Sequence, residues 1–277
     1  MSLKNNTPDK LAEFRNTILE YYSDSARHFP WRETKDPYHI LVSEFMLQQT
    51  QTERVVPKYC TWLERFPTIK SVADAPLNEI LTLWSGLGYN RRARFLHETC
   101  KHIALEYDGT VPSDPELLDK LPGIGPYTAR AISTFAYELP NIFIETNIRS
   151  VYIFFFFPDA QEPVHDRELL PLIRDTLYRE NPRMWYYALM DYGSALKTLV
   201  KNPARKSSHY TKQSRFEGSL RQARGAIIRY LVKNVSGDRT AILREEQLDS
   251  ERIGAALDAL VEEGLIRENE GIYHIGS

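Results

Sequence analysis

From residue 10 to residue 200 apolar residues recur at helical spacing in segment after segment, and almost no stretch alternates apolar with polar residues as a half-buried strand does. That pattern predicts helices over residues 11–22, 38–48, 55–66, 69–75, 77–83, 90–107, 114–120, 125–137, 147–156, 168–177 and 184–199, with turn signals between them. A region without strands can close a core only by packing helix on helix, so an all-α, many-helix domain with short connections is expected. The aromatic run Phe154 to Phe157, at the end of the helix predicted over 147–156, reads as core packing. Residues 202–218 (NPARKSSHYTKQSRFEG) are polar, basic and non-periodic, so they read as a loop. After them come a helix over 219–233, short and longer helices over 243–248 and 250–263, and a hairpin over 265–275, the order of a winged-helix unit. The expected organisation is a helical domain over 1–200, a basic loop over 201–218 and a winged-helix-like domain over 219–277.

A hydrophobic fraction of 42% in 277 residues is ample for a buried core. No window reaches the roughly 18 apolar residues that cross a bilayer, and the first ten residues, MSLKNNTPDK, form no apolar signal segment, so a cytoplasmic protein without a membrane partner, and a monomer, is expected. Cys60 and Cys100 make neither a CxxC motif nor a disulfide framework and read as buried thiols. None of the seven histidines stands at metal-ligand spacing, and no metal is expected. The net charge of −2 hides an asymmetry. Residues 197–230 carry nine Lys or Arg against one acid, Glu217, whereas residues 235–277 carry four Arg against ten acids. The first stretch suits a polyanion; the second would repel phosphate and suits packing or a protein partner.

Leu121-Pro122-Gly123-Ile124-Gly125 has two glycines one residue apart, ahead of what reads as a helix start at Pro126. Such a loop turns backbone N–H groups outward at the positive end of a helix, a geometry that holds phosphate, although an ordinary helix-loop-helix turn has the same spacing. Two carboxylates, Glu44 upstream and Glu145 downstream, complete the candidate chemistry.

Six segments then carry a resemblance. Phe29-Pro30-Trp31-Arg32, Asp36-Pro37-Tyr38, Ser43-Glu44-Phe45-Met46-Leu47-Gln48-Gln49-Thr50-Gln51, Trp84 with Gly86-Leu87-Gly88-Tyr89, Arg92-Ala93-Arg94 with Leu96-His97, and the LPGIG loop with Pro126-Tyr127-Thr128 resemble, in order, the motifs of the helix-hairpin-helix DNA glycosylases. The resemblance spans about residues 10–200 and is to the adenine glycosylase (MutY) branch, which removes adenine opposite 8-oxoguanine. It implies two helical subdomains with a DNA cleft between them, and duplex DNA with a damaged or mispaired base as partner.

The same resemblance places Glu44 as the general acid that protonates the departing base. The family's catalytic aspartate falls on Glu145, in Ile144-Glu145-Thr146-Asn147 where the family usually has Asp-Gly-Asn, and Asn147 is counted with the catalytic residues. The charge is kept, on an arm that reaches about 1.5 Å further, enough to matter in a preorganised site. Three outcomes follow: the same mechanism on a shifted backbone, activity on another base, or a DNA-binding protein with weak catalysis. Tyr127 stands where strand-cutting relatives carry a Schiff-base lysine, so a monofunctional enzyme is expected. Gln48 would hydrogen-bond the orphaned base and Tyr89 would wedge into the stack, unless Tyr89 is a core aromatic. Leu121, Gly123, Ile124 and Gly125 would hold the DNA backbone.

The family carries an iron-sulfur cluster, but Lys197 stands where its first cysteine would be and no cysteine follows, so no cofactor is expected. The basic loop, with Lys201, Arg205 and Lys206, would contact phosphate in its place. The C-terminal segment is too short for the family's larger 8-oxoguanine-reading domain. The expected substrate is adenine opposite 8-oxoguanine or guanine; thymine or uracil opposite guanine, or lesion binding without catalysis, are the alternatives.

Overall fold

A computed structural model describes residues 7–212, 215–246 and 249–276. In chain order its elements are α1 (Pro8–Ser25), α2 (Pro37–Leu47), α3 (Thr52–Arg65), α4 (Ile69–Ala73), α5 (Leu77–Trp84), α6 (Arg91–Glu106), α7 (Pro115–Leu118), α8 (Pro126–Tyr137), α9 (Thr146–Phe156), α10 (Asp166–Thr176), α11 (Pro182–Leu199), α12 (Leu220–Asn234), β1 (Ser236–Asp238), α13 (Arg239–Glu246), α14 (Ser250–Glu262), β2 (Ile266–Asn269) and β3 (Ile272–Ile275). None of the described helices is long and apolar enough to cross a membrane. The chain divides into two compact units, one of Met1–Lys35, Ser113–Asp119 and Ile124–Lys212, the other of Asp36–Pro112, Lys120–Gly123 and Gln213–Ser277.

In the first unit α1 lays Phe14 and Ile18 into the core, where the Phe14 ring lies 5.1 Å from Tyr152 of α9 and 5.9 Å from Trp185 of α11. These are edge and tilted contacts of the kind aromatic rings favour. Asp191 of α11, 1% exposed, receives the Arg27 backbone N–H at 2.9 Å, Arg27 Nε at 2.7 Å and both Arg32 Nη atoms at 2.7 and 2.8 Å. Burial works against its charge, yet the Arg32 and Arg27 bonds outweigh burial and hold the carboxyl below its ordinary value. Phe154 corrects one expectation: it is exposed at the edge of α9, while Phe155 and Phe156 pack on Phe14.

The second unit centres on Trp62, Trp84 and Phe66, all fully buried, with the Tyr38 hydroxyl donating to the Phe66 carbonyl at 2.6 Å. Its C-terminal part closes α12 and α14 over Ile227, Leu231, Leu257 and Leu260. The strands form an antiparallel sheet in the order β1-β3-β2, with Ser236 opposite His274 and Ile266 opposite Ile275. β1 is an addition to the expected elements; Ser-Gly-Asp has no alternation by which to find it. The expected helix over 243–248 begins earlier, at Arg239, and its Leu248 lies outside the described residues. Cys100 is fully buried, but Cys60 is exposed on α3, against expectation.

Candidate active site

Glu44 sits on α2, a helix whose residues Ile40 to Met46 are all buried. The helix starts at a strong signal: the Asp36 carboxylate accepts from Tyr38 N at 2.8 Å and His39 N at 3.2 Å, and Pro37 opens the first turn. An apolar helix buried all round leaves its one acid nowhere to go but into the protein, and Glu44 is 8% exposed. The C-terminal end of α2 is gathered by Arg92. Its Nη1 donates to the carbonyls of Phe45 and Met46 at 2.9 Å and of Gln48 at 2.5 Å, and its Nη2 to Thr50 Oγ1 and the Gly88 carbonyl at 3.0 Å. Four end-of-helix carbonyls normally lack an intrahelical partner, and a buried guanidinium supplies it. Burial pulls Arg92 down to about 10, so it is charged at neutral pH.

The same guanidinium joins the Gln48 segment to the loop before α6. Within four residues Gly86, Gly88 and Tyr89 adopt φ of +94°, +74° and +51°. For tyrosine that conformation costs about 1 kcal/mol and persists only where the surroundings enforce it. They do: the Tyr89 hydroxyl accepts from Arg221 Nη1 of α12 at 2.7 Å, and the guanidinium carbons of Arg92 and Arg221 lie 5.5 and 5.6 Å from the ring centroid. Gln48, Tyr89, Arg91, Arg221 and Arg229 line one open cavity of about 680 Å³. Tyr89 is therefore a half-buried, pinned ring rather than a core aromatic.

In the LPGIG loop Leu121 and Ile124 are buried, 5% exposed each. Gly123 has φ +74°, and a Cβ there would stand 2.5 Å from Phe95 Cβ, so both conformation and space demand glycine. Thr99 Oγ1 donates to the Pro122 carbonyl at 2.7 Å. Gly125 is the N-cap of α8 and brings no side chain to the helix start. Tyr127, in the first turn of α8, stacks edgewise on Phe143 at 5.6 Å and carries no amine.

Glu145 is the N-cap of α9. Its Oε1 accepts from Ile148 N at 2.8 Å and its Oε2 from Asn147 Nδ2 at 3.3 Å, while Asn147 Oδ1 accepts from Lys197 Nζ at 2.6 Å. The sequence suggested a longer arm reaching deeper; the structure shows the extra methylene folded back to cap the helix one turn on. Burial pushes the Glu145 carboxyl up, against the backbone N–H groups of Asn147 and Ile148 and the charges of Lys197 and Arg149.

Of the basic loop, Lys201 and Arg205 are exposed, whereas the Lys206 ammonium is taken up by the Pro158 carbonyl. Residues Pro203–Lys206 form a 3-10 turn tied to Val164 by Val164 N to Lys206 O at 2.8 Å and Ser208 N to Val164 O at 3.0 Å. The donors do not fit an iron-sulfur cluster: this segment has no thiol, and Cys60 and Cys100 stand on separate helices, one exposed and one buried. Among the described residues no group of three or more His, Cys, Asp or Glu gathers. The partners of Arg92, Arg221 and Lys197 are not legible in the sequence, since each pairs with residues far away along the chain.

Compared with known proteins, residues 42–174 match the HhH-GPD superfamily of base excision DNA repair proteins. The adenine DNA glycosylase of Mycolicibacterium smegmatis is 35% identical over 274 residues, 91% of this chain and 92% of that protein. Those of Buchnera aphidicola and Mycobacterium tuberculosis are 38% and 40% identical, over 69% and 65% of this chain, which spans 54% and 60% of their length. A thermostable thymine-DNA glycosylase superposes with a TM-score of 0.63 at 26% identity, covering 72% of this chain and 93% of its own. Endonuclease III in a non-covalent DNA complex shares the fold, with a TM-score of 0.57 at 20% identity over 67% of this chain and 85% of that one.

Proposed function

The chain belongs to the HhH-GPD superfamily of base excision DNA repair proteins, in its adenine DNA glycosylase family, and from that premise we propose that it hydrolyses the N-glycosidic bond of adenine mispaired with 8-oxoguanine or guanine. The observation that carries the chemistry is the contrast between two carboxyls. Glu44 is buried on a helix whose other buried residues are mostly apolar; Glu145 accepts hydrogen bonds at a helix N-terminus. Losing a purine leaves positive charge on the sugar, so one acid must hand a proton to the base while an anion opposes the cation or directs water. Glu44 takes the first role. Glu145, its charge supported by the N–H groups of α9 and oriented by Asn147, takes the second. Tyr127 offers no amine for a Schiff base, so the product is an abasic site in an uncut strand.

DNA is held by phosphate contacts to the backbone of Leu121, Gly123, Ile124 and Gly125, aided by the exposed Lys201 and Arg205. Gln48 meets the orphaned base and Tyr89 enters the stack, repaying the few kcal/mol that base flipping costs. No cofactor takes part, and the acidic C-terminal segment is left for a protein partner. A second reading, release of thymine opposite guanine, is favoured by the likeness to a thymine-DNA glycosylase. A panel of duplexes carrying single mispairs, cleaved with alkali after incubation, decides between them. Adenine release opposite 8-oxoguanine is expected; tight binding with no abasic site on any duplex would sink the enzyme reading, and scission before alkali would sink the monofunctional one.

A further inference from the structure

Lys197 lies near the end of α11, four residues and so one helical turn after Gly193, on the same face. That face touches the start of α9 very closely: a Cβ on Gly193 would stand 2.4 Å from the Asn147 carbonyl oxygen. The next side chain along it, Lys197, therefore reaches Asn147, and its Nζ donates to Oδ1 at 2.6 Å. An amide has one accepting and one donating end, and an ammonium can only donate. With its oxygen held by Lys197, Asn147 must present its NH2 to Glu145 Oε2, at 3.3 Å. A flipped amide would set oxygen against carboxylate.

We propose that Lys197 is a positioning residue for Glu145, fixing the Asn147 amide and supplying a positive charge behind the carboxylate. This rests on the role given to Glu145 above. Two hydrogen bonds wire Lys197 to Glu145 through Asn147.

The other charges around α9 are already committed. Arg149 on the same helix is matched by Asp166 of α10, through Nε and Nη2 at 2.8 Å each. His209 Nε2 lies 3.6 Å from Asp166, and His165 precedes it. Lys206 faces the Pro158 carbonyl, and Asp191 of α11 is bound by Arg27 and Arg32. The Asp166 carboxyl pays for burial but is held below its ordinary value by Arg149, so it stays a fixed charge where Glu145 titrates. Lys197, among the described residues, meets no carboxylate directly, so its charge acts on Glu145 unmatched.

The test is single-turnover release of adenine opposite 8-oxoguanine between about pH 5 and pH 9 for three variants, since such profiles report essential groups. Glu145 works ionised, and removing a cation makes ionisation harder, so the acidic limb must move to higher pH. K197R keeps donor and charge and should restore the wild-type profile. K197Q keeps a donor without charge; it should shift the acidic limb and lose about threefold at the plateau. K197M keeps neither and should shift the limb equally and lose about tenfold at the plateau. A K197M profile that superimposes on the wild type would overturn the inference, as would a K197R profile no better than K197M. If K197M does not fold, K197Q alone decides by its acidic limb. E145Q separates the two levels: wild-type rates in E145Q remove the role of Glu145, whereas a slow E145Q beside an unchanged K197Q profile removes only that of Lys197.

Discussion

Asp191 in one unit and Arg92 in the other are buried charges of opposite sign, 1% and 8% exposed, and they are satisfied by different means. Asp191 is an anion met by cations, the Arg27 and Arg32 guanidiniums. Arg92 is a cation met by dipoles, the carbonyls of Phe45, Met46, Gln48 and Gly88. The first fixes the segment before Pro37 onto α11, the helix whose Gly193 and Lys197 touch the Glu145 region; the second fixes the end of α2, the helix of Glu44. A charge paired with charge can be cancelled by a proton, whereas a charge solvated by carbonyls has no acid to titrate. Both anchors are needed because a carboxylate displaced by 1 Å costs about 100-fold in rate.

The largest expected effect is on Asp191. Asp191→Asn leaves two guanidiniums facing a neutral amide and should lower unfolding stability by about 3–5 kcal/mol in a urea titration. Wild-type midpoints in the variant would show that the clasp is ornamental. The same charge can be removed by acid. Because the folded Asp191 carboxyl lies below its ordinary value of 3.8, its stabilisation is complete above that value and drains as the pH falls through the folded one. Amide exchange should accordingly lose protection in α11 on acidification while α2 keeps it; equal loss in both would erase the contrast.

Next in size is Glu44→Gln, which removes the proton donor and should slow base release by about 100- to 1000-fold with the fold intact. Arg92→Met follows, at about 3 kcal/mol of stability, since it strips several buried carbonyls of a charged donor. Its circular-dichroism melt should fall well below that of Glu44→Gln. A melt equal to that of Glu44→Gln would mean that water replaces the guanidinium at the end of α2.

These anchors divide what the sequence reveals from what it conceals. The helices before residue 200 announce themselves by period, and Glu44 and the LPGIG loop by dense local motifs, because the forces that place them act between near neighbours. Arg92 belongs to a segment that carries the resemblance, but its role does not show there, because the carbonyls it gathers lie 44 to 47 residues away. Lys197 and Arg221 meet their partners 50 and 132 residues away. Glu145 was visible as a charge but not as a helix cap, since capping by a glutamate depends on the local turn of the chain. Cys60 was misjudged because α3 is strongly amphipathic and residue type alone does not say which face a thiol takes.

The smallest expected effect tests whether the second unit pins a ring as firmly as it pins a helix end. Tyr89 holds a conformation tyrosine resists, and two of its restraints come from Arg221: the hydrogen bond to its hydroxyl at 2.7 Å and the guanidinium over its ring. Arg221→Ala removes both while leaving Arg92 on the ring's other contact. The loss of a charged hydrogen bond and a half-exposed cation–π contact amounts to about 1 kcal/mol, or about fivefold. It should appear as a changed ratio between adenine release opposite 8-oxoguanine and opposite guanine, because a looser ring discriminates less between partner bases. The melting temperature should hardly move. A fall in both rates by one common factor would assign Arg221 to phosphate binding instead.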